Sequence, residues 1–286
     1  MSQLMSGGLE LGRQGLSRVA VDCRASGHPG VLGSSQTASL LPGAKPSVED
    51  RARATAGAER HLVRRVFERC HRLIVEVCKS SSVPPEFLGA LTANESGGDP
   101  AAIRFEPAVY RHLKAVAAGR SPRYGGIRPQ DLAAELEEVL HPKASEFHAR
   151  YLTSPFAANY CRELSRLEDK ALRELASSWG YTQIMGFHMI GRRGTVRDLL
   201  DPPFHFRVAT QLLAEFAEAY QLDVTGEFAE LFRCWNTGRP DGKTTDPAYV
   251  ENGLRRMKTY REYALANSVQ SGTAAKDPER APSGQP

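Results

Sequence analysis

Glu95 closes a run of residues, Ser82 to Pro100, whose types and spacing suit acid catalysis. Leu88, Leu91 and Glu95 follow one another at helical spacing with Phe87 and Thr92 alongside, so an apolar stripe ends in a carboxylate. Ser82 is expected to cap this helix, Pro84 and Pro85 fit a first turn, and Gly97 and Gly98 stop it. Apolar neighbours disfavour the charged form of a carboxyl, and the unpaired carbonyls of a last helical turn repel an anion. A carboxyl held this way keeps its proton near neutral pH and can pass it to a leaving oxygen. The same position also suits a buried structural glutamate satisfied by an arginine or by main-chain N–H groups, and spacing alone leaves both readings open.

The elements that must position Glu95 are helical. Leu62, Val66, Cys70, Leu73 and Val77, with Val63, Phe67 and Ile74, mark one face of a helix from about Glu59 to Lys79. Beyond the glycines, a helix is expected between Ile103 and Ala118 with Phe105, Val109, Tyr110 and Leu113 inward. Another should open at Pro129 and run through Leu140, and a third should cover Asn159 to Ala176. The segment SSWGYTQIMGFHMIG reads as a polar and aromatic turn. Thr195 is a cap for a short helix, and Asp198 and Asp201 read as caps too. Longer helices follow over Phe204 to Gln221 and Gly226 to Trp235, the second stopped by WNTGRPDG. Pro247 starts the last helix, with Val250, Leu254, Met257 and Tyr260 on its face. No segment reads as a strand, so the expected fold class is all-α.

The ends of the 286-residue chain differ from its middle. Residues 1–57 are rich in Gly, Ser, Ala and Arg without a sustained period and read as disordered; residues 266–286 read the same way, leaving one folded domain over 58–265. The net charge of +4 is modest and spread along the chain, which argues against a nucleic-acid module. Five cysteines, Cys23, Cys70, Cys78, Cys161 and Cys234, show no metal spacing and do not make a closed disulfide framework, so buried thiols are expected. No apolar run approaches a membrane span, and the first thirty residues hold no signal-like apolar core.

Three short segments stand in a telling order. Glu95-Ser96-Gly97-Gly98-Asp99-Pro100 resembles the ESGG-P motif of soluble lytic transglycosylase domains, Gly180 to Met185 resembles their GLMQIM turn, and Trp235-Asn236-Thr237-Gly238 resembles their YNAG segment. Arg104-Phe105-Glu106-Pro107 and Ser178-Trp179-Gly180 through Phe187 are similar instead to segments of bacterial and phage N-acetylmuramidases. The chain therefore resembles the lysozyme-like superfamily over most of residues 59 to 264.

The resemblance implies a lysozyme-like helical domain that cuts the β-1,4 bond between N-acetylmuramic acid and N-acetylglucosamine in peptidoglycan. It would use no cofactor and no metal, acting as a monomer on glycan strands at the cell wall. Carried across, Glu95 would be the general acid. Ser96, Tyr181, Gln183, Met185, Trp235, Asn236 and Tyr249 would contact the sugar, and Glu106 would be a second acid if the enzyme is a hydrolase. Trp235 stands where transglycosylases have a tyrosine, so a hydroxyl for the acid would have to come from Tyr181 or Tyr249. Lytic transglycosylase is the leading expectation. A hydrolytic muramidase or endolysin is its nearest rival, and a glycan-binding module without catalysis is a third reading.

Overall fold

The computed structural model describes residues 48–136 and 157–273, with side chains over 55–136 and 165–268. The chain runs α1 (Val48–Cys78), α2 (Pro85–Glu95), β1 (Ile103–Phe105), α3 (Pro107–Ala117), a helical run over 129–136, α4 (Ala157–Leu175), β2 (Ser177–Trp179) and β3 (Ile184–Met185). Two short 3-10 helices, Gly186–Met189 and Val196–Leu200, lead to α5 (Pro202–Tyr220), α6 (Phe228–Thr237) and α7 (Tyr249–Thr273). The described residues are mostly helical.

Helix α2 lies in the core, and its most extensive neighbours are α1 and α7. All seven residues from Phe87 to Ala93 are buried, so this short helix is apolar on every side, as a central core helix must be. Fully burying Phe87, Leu88 and Leu91 stabilises the fold by about 1.5–3 kcal/mol each. Gly89 is the closest approach: a Cβ there would stand 2.2 Å from the ring of Tyr260, so the α7 tyrosine fills the space that the glycine leaves. Phe87 in turn packs on Phe232 of α6, with ring centres 4.6 Å apart.

Several expectations need correction. A strand system exists after all: β1, β2 and β3 form an antiparallel sheet in that order, with Arg104 opposite Ser178 and Ser178 opposite Met185. Its strands are two or three residues long, too short to show an alternating period. Ile103 to Phe105 is therefore strand rather than helix, and Phe105 is 38% exposed rather than inward. Leu254 is likewise 40% exposed, because α7 turns that position away from the core that takes Met257 and Tyr260. The cap of α2 is Pro84, not Ser82, with Pro85 at the first helical position.

Helix α1 begins at Val48, ahead of the expected boundary at residue 57, and α7 continues to Thr273, past the boundary at 265. The remaining residues of both expected disordered ends, residues 137–140 of the helix opened at Pro129, Cys23 and the Cys161 side chain lie outside the described residues. Cys70, Cys78 and Cys234 are buried free thiols, pushed up to about 11, 11 and 12 by burial. Thr195 and Asp198 form a reciprocal capping box, and the Asp201 carboxylate accepts from the Phe204 N–H, as the sequence suggested for all three.

Candidate active site

The end of α2 is where Glu95 is offered to the surface. The last regular bond, from Ser96 N to Thr92 O, is followed by Gly97 and Gly98 at φ 63° and 83°, a left-handed pair that turns the chain sharply. A Cβ on Gly98 would lie 3.0 Å from Val66 of α1, so the turn also needs the missing side chain for space.

Glu95 is half-buried, and burial is the main cause that lifts its carboxyl to about 7. Two groups pull the other way. The Tyr249 hydroxyl, from the first residue of α7, donates to Glu95 Oε1, and the Arg104 guanidinium from β1 adds a favourable positive charge. Tyr249 is itself buried, its ring edge-on to Phe232 at 6.1 Å, and its phenol is held well above the ordinary range by burial and by Glu95. Tyr249 thus supplies the hydroxyl. Tyr181 does not, because its ring stacks on Phe206 at 5.0 Å and its hydroxyl lies beside Cys70, where burial pushes it up to about 12.

The turn between β2 and β3 forms the wall beside this carboxyl. Ser96 Oγ donates to Tyr181 O at 2.7 Å and accepts from the main-chain N–H groups of Gly98 and Asp99 at 3.2 Å, so it staples the end of α2 to that turn. Gln183 sits at φ 54° inside the turn. Its Nε2 donates to Ala102 O at 3.1 Å and Gly180 O at 2.9 Å, and its Oε1 accepts from Ser178 Oγ at 2.8 Å. Both amide donors are therefore used within the protein. Trp235 Nε1 donates to Thr182 O at 2.9 Å, tying α6 to the same turn. Ser96, Gln183 and Trp235 thus use their polar atoms to shape the wall.

His205 completes the clamp and was not read from the sequence. Its Nδ1 donates to Leu199 O at 2.9 Å, so Nε2 is the acceptor for the Thr182 N–H at 2.9 Å, beside the Thr182 hydroxyl at 2.8 Å. Burial lowers this imidazole to about 4, keeping it neutral. It lay hidden in the apolar pattern of α5, where a lone histidine gives no signal. His188, half-buried just after β3, is lowered to about 3 by burial and by Arg192.

Asn236 and Met185 complete the sequence-derived set. Asn236 is half-buried, one helical turn beyond Phe232 and so on the α6 face that packs on Tyr249; among the described residues its amide has no hydrogen-bond partner. Met185, half-buried on the edge strand β3, packs against the core. Glu106 stands at the cap of α3 with its carboxylate paired to Arg104 Nε at 2.6 Å. Arg104 therefore links the electrostatics of Glu95 and Glu106.

Among the described residues no cluster of three or more His, Cys, Asp or Glu side chains is placed to hold a metal ion, and no helix is long and apolar enough to cross a membrane. Comparison of the chain with family models, with curated proteins and with solved structures finds no match.

Proposed function

We propose that this protein is a peptidoglycan lytic transglycosylase, cutting the β-1,4 bond between N-acetylmuramic acid and N-acetylglucosamine with Glu95 as general acid and then base. The observation that carries the reading is a single half-buried carboxyl, raised to about 7, fixed through one oxygen by Tyr249 at the rim of a helix end. Such a group is protonated in an appreciable fraction near neutral pH, which is what protonation of a leaving glycosidic oxygen requires.

In the proposed reaction Glu95 gives its proton to the leaving oxygen as the bond from the muramic acid C1 breaks. The carboxylate so formed takes the proton of the same sugar's 6-hydroxyl as that oxygen bonds to C1. The acid is regenerated and no water is consumed. The unpartnered amide of Asn236, on the same side of α6 as the ring that supports Tyr249, is the side chain best suited to hold an acetamido group.

A hydrolase would need a second carboxylate about 6.5–9.5 Å away to activate water, or about 5–5.5 Å away to act as nucleophile. Glu106 is the carboxylate that shares Arg104 with Glu95, paired to its Nε at 2.6 Å. Product mass decides between the two reactions. Digestion of purified peptidoglycan should give mainly 1,6-anhydro ends, lighter by one water than reducing ends. Predominantly reducing ends, lost in Glu106→Gln, would establish the two-carboxylate hydrolase instead.

A further inference from the structure

Behind Glu95 lies a chain of contacts that the proposed chemistry has not used. Asn94, the residue before the acid, donates from Nδ2 to the main-chain oxygen of Tyr249 at 3.1 Å. Its Oδ1 accepts from Arg256 Nη1 at 2.6 Å. Arg256 lies two turns along α7 from Tyr249, with only 17% of its side chain exposed, and its Nε faces Glu59 Oε1 of α1 at 3.3 Å. Three helices thus meet through one amide. The link reaches from α1 through α7 to the last turn of α2, and ends where the Tyr249 hydroxyl meets Glu95.

A buried guanidinium is costly, and one paired only for stability is often replaceable by apolar residues. Here its Nε is buried without a well-formed hydrogen bond, so the pairing with Glu59 is imperfect while the contact to Asn94 is short. Both groups of the Asn94 amide are engaged, one on each side, which fixes its rotamer and the roll of the α2 end against the start of α7. A roll of that end would separate Tyr249 Oη from Glu95 first, because both sit at the tips of their helices.

We propose that Asn94 and Arg256, anchored by Glu59, are positioning residues that hold the Tyr249 hydroxyl on Glu95 and so set the protonation of the acid. The proposal rests on Glu95 being the acid, as argued above. The charged and titratable groups around the pair are Tyr249 from α7 and Arg104 from β1 at Glu95, with Arg65 of α1 donating to Gly97 O at the α2 end and Asp99 just beyond it. Around Arg256 they are Glu59 from α1 and Arg255 and Tyr249 from its own helix.

The test is the Glu95 titration, followed by NMR of carboxyl-labelled full-length protein and assigned with Glu95→Gln. In Asn94→Ala and in Arg256→Met the Glu95 midpoint should move up by about half a pH unit or more, the worth of a lost hydrogen bond. The double variant should move it no further than the larger single, since one link is broken twice. Arg256→Lys carries the same expectation and serves if Arg256→Met does not fold, because a single ammonium nitrogen cannot stand at both the Nε position facing Glu59 and the Nη1 position facing Asn94. Arg261→Ala, which removes a surface tie between α7 and Glu86 of α2, should leave the midpoint unchanged.

An unmoved midpoint in folded Asn94 and Arg256 variants, with only thermal stability lost, would overturn the proposal. So would an equal shift in Arg261→Ala. Failure of the wild-type protein to cleave peptidoglycan while the midpoints move as stated would refute the proposed function and leave the positioning role standing.

Discussion

Arg104 Nε donates to Glu106 Oε1 at 2.6 Å while its charge also reaches Glu95, so one arginine on β1 restrains two carboxyls that the sequence set eleven residues apart. The two are unequal: Glu106 is ion-paired, whereas Glu95 has burial lifting it and only partial relief from Arg104 and Tyr249.

Removing the arginine should therefore raise Glu95 further. In Arg104→Met the stabilising charge is gone and Glu106 is left nearby as a like charge, and both changes favour the protonated acid. The alkaline limb of peptidoglycan cleavage, where Glu95 loses its proton, should move to higher pH in a pH–rate profile. A limb that stays in place or moves down would show that Arg104 does not act on the acid.

Glu106→Gln should leave cleavage within a few-fold of the wild type, because the single-acid reaction does not use Glu106. Rates on purified peptidoglycan, with the same 1,6-anhydro products, check this. A drop of two orders of magnitude, of the size expected for a lost general base, would count for the hydrolase.

Folding stability carries the signature of Glu95 in a defined window. Its folded value, about 7, lies above the ordinary glutamate value of 4.5, so between pH 4.5 and 7 the unfolded chain loses a proton that the folded chain keeps, and stability falls as pH rises. Above about pH 7 the full cost is present, about 3 kcal/mol by linkage. His205 and His188 act in the opposite sense. Their values are depressed from 6.5 to about 4 and about 3, so their contribution is present above 6.5 and is lost as pH falls through those values. The wild-type curve is flattened by the two effects, and the readout is the difference from Glu95→Gln. Denaturant melts at pH 8 should find the variant more stable than wild type, with the gain vanishing near pH 4.5. A variant less stable at pH 8 would mean that the charged form is the one the fold prefers.

Gly180→Ala should disrupt the wall beside the acid. Gly180 sits at φ 67°, and a Cβ there would lie 2.6 Å from Leu199 O and 2.7 Å from His205 Nδ1, both fixed by their mutual hydrogen bond. A loss of 2 kcal/mol or more is expected, of the order reported for strained left-handed positions in packed sites. Thermal melts of the variant check it, and an unchanged midpoint would show the turn to be adjustable.

The sequence carried the parts of this fold that depend on local pattern. Phe87, Leu88, Leu91, Thr92 and Glu95 lie on one helix because helical spacing can be counted, and Gly97 and Gly98 end it because left-handed turns favour glycine. The sheet was illegible for the converse reason, since Ile184 and Met185 are too few to alternate. Choosing Tyr249 over Tyr181 as the partner of Glu95 needed the packing of Phe206 and Cys70 around the latter. The Asn94 to Arg256 contact spans 162 residues, and no local pattern announces it. The internal hydrogen bonds by which Ser96 and Gln183 build the turn join residues far apart in the chain and were not legible in the sequence.

Whether Glu95 delivers the proton is decided by the rate at which Glu95→Gln, verified as folded, releases fragments from purified peptidoglycan beside the wild-type protein. Glutamine keeps an acceptor for the Tyr249 hydroxyl and has no proton to give, so the rate should fall by about two orders of magnitude or more. Cleavage that survives the substitution undiminished would show that Glu95 is not the acid.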